Sequence, residues 1–267
     1  MPCSQSHFLI KWFGNKRLDF PFIYKHLPLD NKINIIEPFC GSCAISFGLW
    51  LEYGDRFNYY LNDIDEDLIK FINYQKNEDL DNLILKFNHE KKQYNSKDEF
   101  KILYNSWLED KCPFKYFILS RLSMFGLNTL HIYETNTGKK KNKLFESTSK
   151  INKKHRVFQR FLRSPNVFIS NNDWYDCYNK YKDDTNSLIL FDPPYIDSTN
   201  ITYKKNSNLL NIYDKLNEIK NDKASCIFII EKIDKIKELF KDWNILTEYD
   251  KIYAVKQRKT KHIVYSN

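Results

Sequence analysis

Leu188-Ile189-Leu190-Phe191-Asp192-Pro193-Pro194-Tyr195 is the stretch whose reading decides the fold. Four consecutive apolar residues that stop at a turn predict a strand buried on both faces, as in a helix-covered parallel sheet. At the mouth of that strand stand one carboxylate, two ring-locked backbone units and one aromatic face. Proline fixes its own φ at about −65° and restricts the residue before it, so the loop is stiff before any ligand arrives. The grouping suits an amino group on a planar nucleobase, a poor nucleophile because its lone pair is delocalised into the ring. A carboxylate and a backbone carbonyl that both accept its N–H bonds hold it near sp³ geometry, with the lone pair aimed at an electrophilic methyl. Tyr195 offers a face on which an extruded base can stack. Taken alone, the tetrapeptide also reads as a tight strand-ending turn.

Working outward, Lys32-Ile33-Asn34-Ile35-Ile36 reads as a short strand. It is followed by Glu37-Pro38-Phe39-Cys40-Gly41-Ser42-Cys43 and a helix from Ala44 to about Leu51. Strand, small-residue turn and helix is how an open α/β sheet presents backbone N–H groups to a ligand. Tyr59-Tyr60-Leu61 is a second apolar run, ending in Asn62-Asp63-Ile64-Asp65. A strand-end acid there can accept both hydroxyls of a ribose. A helix N-cap is the competing reading for Asp63, because a helix starts just beyond it.

With these pieces in place, the chain resembles the Dam-type DNA adenine N6-methyltransferases, and the resemblance spans most of its length in the family's order. Leu9-Ile10-Lys11-Trp12-Phe13-Gly14-Asn15-Lys16 is similar to the family's Lys-Trp-x-Gly-Gly-Lys segment. Glu37 to Cys43 resembles its cofactor loop, Asn62-Asp63 its ribose-binding acid, and Asn171-Asn172-Asp173-Trp174 its aspartate-aromatic pair. The resemblance implies a Rossmann-like α/β fold and S-adenosyl-L-methionine as cofactor. Asp192 and the Pro193 carbonyl would bind the target amino group, with Pro194 stiffening the loop and Tyr195 stacking on a flipped adenine. The cofactor would be held by Trp12, Lys16, Glu37, Phe39, Cys40, Gly41, Ser42, Asp63, Asp173 and Trp174, with Asp192 facing it. Of these, Lys16 would pair with the methionine carboxylate, Asp63 would take the ribose, and Asp173 the adenine amino group. Trp12 also reads as a packed core tryptophan.

Three positions depart from the family pattern. Asn15 replaces the second glycine of the N-terminal segment. Cys43 replaces a glycine of the cofactor loop, so a positive φ there would be strained. Glu231-Lys232, after the strand Cys226 to Ile230, replaces a small polar pair beside the base pocket.

Cys40-Gly41-Ser42-Cys43 carries a rival reading, because a Cys-x-x-Cys at a helix N-terminus is also a redox arrangement. Pro38 and Phe39 before it, and the length of the chain, count against a bare thioredoxin fold. Cys3, Cys112, Cys177 and Cys226 are scattered singly, without the spacing of a zinc site, so no metal is expected. Scattered cysteines with no leader segment predict a reducing, intracellular location, a bacterial cytoplasm or an infected host cell. No apolar stretch approaches the roughly 18 residues of a membrane span.

Net charge is +8 over 267 residues, which suits a polyanionic partner, although lysine and asparagine are abundant throughout. The local form is more telling. Lys139, Lys140 and Lys141 follow Thr137-Gly138 as a charged turn, and Lys150 to Arg163 is a basic run. The bland reading is a solvated face; a phosphate-binding surface is preferred.

The pattern turns helical from Glu78 to about Arg163, with a hairpin expected from Leu130 to Leu144. This divides the chain into a catalytic domain (1–75 and 164–267) and an inserted, mainly helical target-recognition domain (76–163). A hairpin with a basic tip can enter a major groove, and the resemblance places target recognition here. Lys11 and Asn128 join Lys139, Lys140 and Lys141 as expected DNA contacts. After Val167-Phe168-Ile169-Ser170 the α/β pattern resumes, with Asn244-Thr247 and Lys261-Tyr265 as a terminal antiparallel hairpin. The expectation is site-specific methylation of adenine in double-stranded DNA by a monomer or weak dimer, with a cognate restriction endonuclease as a partner. RNA adenine or N4-cytosine methylation, and a catalytically silent DNA-binding homologue, are the alternatives.

Overall fold

The apolar runs pair into one sheet. The computed structural model describes residues 14–90, 97–122, 148–195, 209–252 and 259–267. Its strands are β1 (Asn34–Glu37), β2 (Asn58–Asn62), β3 (Val167–Ser170), β4 (Ser187–Phe191), β5 (Ser225–Glu231), β6 (Asn244–Ile252) and β7 (Lys259–Ser266), in the order β3-β2-β1-β4-β5-β7-β6. Every pair from β3 to β5 is parallel. The last two strands run antiparallel, as the terminal hairpin requires. This is the expected Rossmann-like methyltransferase sheet, and it belongs to a mixed α/β fold.

All five residues of β4 are buried, which is why its sequence carries no polar alternation. Phe191 stacks on Phe228 of β5 at 4.7 Å and 6°. Around them pack Ile36, Ile189, Ile230, Phe240 and Trp243. Each such side chain contributes roughly 1.5–3 kcal/mol relative to exposure. The chain leaves β1 toward β2 and β3 on one side, and β4 opens the other side. The carboxyl ends of β1 and β4 therefore flank the topological switch point, where open α/β sheets bind ligands.

The helices are α1 (Phe20–Ile23), α2 (Ala44–Tyr53), α3 (Glu66–Asn77), α4 (Leu80–Glu90), α5 (Lys97–Asp110), α6 (Pro113–Leu122), α7 (Thr148–Arg163), α8 (Trp174–Asn179), α9 (Leu209–Glu218) and α10 (Asp234–Leu239). The described chain divides into two compact units. One holds Lys16–Ile64 and Pro165–Asn267, and with them the sheet; the other holds Asp65–Ser164, and with it α3 to α7.

The helical unit has its own apolar centre, where Phe71 of α3 meets the rings of Tyr116 and Phe117, each at 5.7 Å. Asp65 caps α3 by accepting from the Leu68 backbone N–H at 3.1 Å. At the other end of α3, Gln159 donates to the carbonyls of Gln75 and Glu78, and Arg163 to those of Lys76 and Glu78. Arg156 pairs with Asp81 at 2.8 Å. Two members of the basic run thus hold their own unit together. The expected hairpin from Leu130 to Leu144, with Asn128, Lys139, Lys140 and Lys141, lies outside the described residues. Among the described residues no helix is long and apolar enough to cross a membrane.

Candidate active site

The loop after β1 is built around two left-handed residues, Gly41 (φ 46°) and Cys43 (φ 55°). The strained position expected for Cys43 is real, and such a backbone costs a non-glycine residue about 1–2 kcal/mol. Cys43 precedes α2 but offers no side-chain cap. Glu37 acts in its place: its Oε1 accepts the Ser46 backbone N–H, in the first turn of α2, at 2.7 Å. Burial pushes the Glu37 carboxyl up to about 7; the Ser46 bonds and Lys16 oppose this, and the charge of Asp192 adds to it.

Asp63, just past the end of β2, accepts the Gly41 backbone N–H at 2.9 Å. The helix cap that competed for this residue is Asp65 instead. Asn62 has no motif role beyond standing next to Asp63, yet it ties three segments together. Its amide donates to the carbonyls of Pro38 (3.1 Å) and Asn172 (3.0 Å), and its oxygen accepts from Ser170 (2.8 Å) and the Asn172 N–H (3.0 Å). Asp173 caps α8 through the Tyr175 N–H at 2.8 Å. The next residue, Trp174, stacks on Phe39 at 5.7 Å and 26°. A backbone loop without a Cβ at Gly41, carboxylates beyond β2 and β3 and an aromatic pair fit a nucleoside-bearing cofactor such as S-adenosyl-L-methionine.

At the end of β4 the chemistry changes character. Lys16, 2% exposed, hydrogen-bonds both Asp192 Oδ1 and the Tyr195 hydroxyl. Tyr195 also donates to Asp192 Oδ1 at 3.3 Å, so both partners engage one carboxylate oxygen. Burial raises the Asp192 carboxyl above its ordinary range, and the charge and hydrogen bond of Lys16 pull against that. Pro194 is held through its carbonyl, which accepts the Tyr213 hydroxyl at 3.0 Å. The lysine expected to pair with a methionine carboxylate bonds Asp192 here. Trp12 and Lys11 lie outside the described residues.

Behind Tyr195 stands His262, fully buried, edge-to-face at 5.4 Å. His262 pairs across the sheet with Glu231, the residue that replaces the small polar pair. Glu231 is buried and accepts the Thr260 hydroxyl at 2.8 Å. A second buried ion pair, Lys251 with Asp19, lies close enough for its charges to act on Asp192. Sequence reading reached neither His262 nor this pair: nothing in their local pattern sets them apart.

The redox reading of Cys40 and Cys43 does not fit the site. Burial, followed by the hydrogen bond with Cys43, holds the Cys40 thiol well above its usual range. The bond with Cys40 lowers the Cys43 thiol, but burial and the charges of Glu37 and Asp63 outweigh it. A redox pair needs a stabilised thiolate. Among the described residues Cys40, Cys43, Cys112, Cys177 and Cys226 are free, and no cluster of metal-ligating side chains occurs.

A family model described as D12 class N6 adenine-specific DNA methyltransferase matches residues 12–259. Among solved structures, the rRNA methyltransferase aviRa from Streptomyces viridochromogenes is similar at a TM-score of 0.37 and 10% identity, over 93% of this chain and 84% of that one. No curated protein sequence matches.

Proposed function

The chain belongs to the D12 class of N6 adenine-specific DNA methyltransferases, and we propose that it methylates one adenine of a defined site in double-stranded DNA after extruding that base from the helix. The observation that supports this reading most is the pairing at the end of β4: Lys16 and Tyr195 both bond Asp192 Oδ1, one of the two oxygens the carboxylate has to offer. An ionised Asp192 and the Pro193 carbonyl then accept the two N–H bonds of the adenine amino group and localise its lone pair. Tyr195 covers one face of the base. S-adenosyl-L-methionine, when bound, supplies an electrophilic methyl on a positively charged sulfur. Gly41, Asp63, Phe39, Asp173 and Trp174 would hold it, in a loop whose shape Glu37 and Asn62 fix. Asp192 need not take the proton, because a nitrogen that has gained the methyl is acidic enough to release it to water.

The test is transfer of labelled methyl to unmethylated duplex DNA, single-stranded DNA and RNA, followed by nucleoside analysis. Label in 6-methyladenine from duplex DNA, absent with Asp192→Ala, is the expected result. Label confined to RNA, or found as N4-methylcytosine, overturns the reading.

A further inference from the structure

The buried ion pair between Asp19 and Lys251 has no part in the chemistry above. Two observations connect it to the site. First, Asp19 closes the turn that carries Lys16: the Asp19 N–H donates to the Lys16 carbonyl at 3.0 Å, and the Phe20 N–H to the same oxygen at 2.8 Å. Second, that turn is anchored at long range. Lys251, on β6, bonds the Asp19 carboxylate across 232 residues of chain, and the two side chains are only 11% and 6% exposed. Moving Asp19 moves Lys16, and Lys16 is bonded to the catalytic carboxylate and its tyrosine.

We propose that Asp19 and Lys251 are a positioning pair, fixing the turn that carries Lys16 and so holding Asp192 ionised and oriented toward the target amino group. The inference rests on the reading of Asp192 as the group that binds that amine. The alternative is a staple that holds β6 to the N-terminal turn with no influence on the site.

The response of Asp192 to losing either charge separates the two. The charged and titratable groups facing Asp192 are Lys16 and Asp19 from the N-terminal turn, Glu37 from β1, Tyr195 from its own loop and Lys251 from β6, with His262 of β7 behind the tyrosine. Within this set Lys251 favours the ionised form of Asp192 and Asp19 disfavours it. The two halves of one ion pair therefore push Asp192 directly in opposite directions, whereas displacement of Lys16 on losing either half pushes it up in both cases.

The experiment titrates the full-length protein labelled with carboxyl-¹³C aspartate, with Asp192→Asn assigning the resonance. Beside it runs the pH profile of methyl transfer to duplex DNA at saturating cofactor. Lys251→Gln keeps a donor to Asp19 but removes the charge, and should move the Asp192 titration and the acid limb of the rate up by about one pH unit, a tenfold loss at pH below both midpoints. Asp19→Asn, which loosens the turn and with it Lys16, should also move both up, against the direct effect of the lost negative charge, and Lys251→Arg should match the wild type. Unchanged midpoints in both variants, with only a lower melting temperature, overturn the proposal. Should Lys251→Gln fail to fold, an upward shift with Asp19→Asn still supports the proposal, and a downward or absent one refutes it. A shifted carboxyl resonance in a protein that transfers no methyl to DNA would leave the positioning pair standing and remove the functional reading beneath it.

Discussion

The two halves of the sheet hold their acids in different ways. On the side of β1, β2 and β3, each carboxylate of the site bonds a backbone N–H: Glu37 that of Ser46, Asp63 that of Gly41, Asp173 that of Tyr175. On the side of β4, β5, β7 and β6, the acids bond side chains: Asp192 to Lys16, Asp19 to Lys251, Glu231 to Thr260. Backbone donors sit where the fold puts them, so acids bonded to them shape a loop and give a ligand a rigid surface. The two lysine partners carry charge and can be reorganised, so the acids bonded to them can be held ionised where a reaction needs an acceptor. On the proposed reading, the first half binds and the second acts on what is bound.

The strongest way to break this contrast is at Asp192. Replacing it with Ala should lower kcat by about 10³-fold, in the range seen when one polar group aligned to the reacting atoms is removed. The readout is single-turnover methyl transfer.

Next in size is Glu37→Gln, which keeps the acceptor for the Ser46 N–H and removes the charge. The sign follows from a carboxyl raised in the folded state, from 4.5 to about 7. That shift favours the fold fully below pH about 4.5 and is lost as pH rises through about 7, leaving the cost of burying the ion. The variant should therefore gain up to about 3 kcal/mol over the wild type in urea unfolding at pH 8, and nothing at pH 4.

The same neutralisation in the other half should do the reverse. Lys16→Met leaves the half-buried Asp192 without its cation and should cost about 1–3 kcal/mol. Lys16→Met with Asp192→Asn should recover most of that stability without recovering activity. Cys43→Gly should have the smallest effect, a gain of less than about 1 kcal/mol in thermal melts. Relief of the left-handed backbone is offset there by a more flexible unfolded chain.

The same contrast explains what could be read from the sequence. Apolar runs marked β4, β5 and β7 to within two residues, because their buried stretches have no polar alternation to blur them. Strand β6, read as Asn244 to Thr247, runs on to Ile252 through a largely polar and partly exposed stretch. The loop after β1 and the acid after β2 were legible as well, since their partners are backbone groups supplied by the local turn. The Cys43 backbone could be foreseen because a cysteine stood where a glycine was expected. Partners of the other half were not legible. Lys16 and Asp192 are 176 residues apart and Asp19 and Lys251 are 232 apart, and periodicity carries no information about which distant charges meet. Asp63 and Asp65 divide two jobs that sequence alone could not apportion between acids two positions apart. Asn62 was hidden for a similar reason: its four bonds depend on where the chain returns from β3.

The division of labour between the halves is tested most directly by one saturation curve of methyl transfer to duplex DNA against S-adenosyl-L-methionine, run for wild type, Asp63→Ala and Asp192→Ala. The prediction is that Asp63→Ala needs at least about tenfold more cofactor, the equivalent of roughly 1.4 kcal/mol of lost binding, but climbs to a plateau near that of the wild type. Asp192→Ala should saturate and stay about 10³-fold below it. Equal loss of plateau in both variants, or full recovery of Asp192→Ala at high cofactor, would contradict the account.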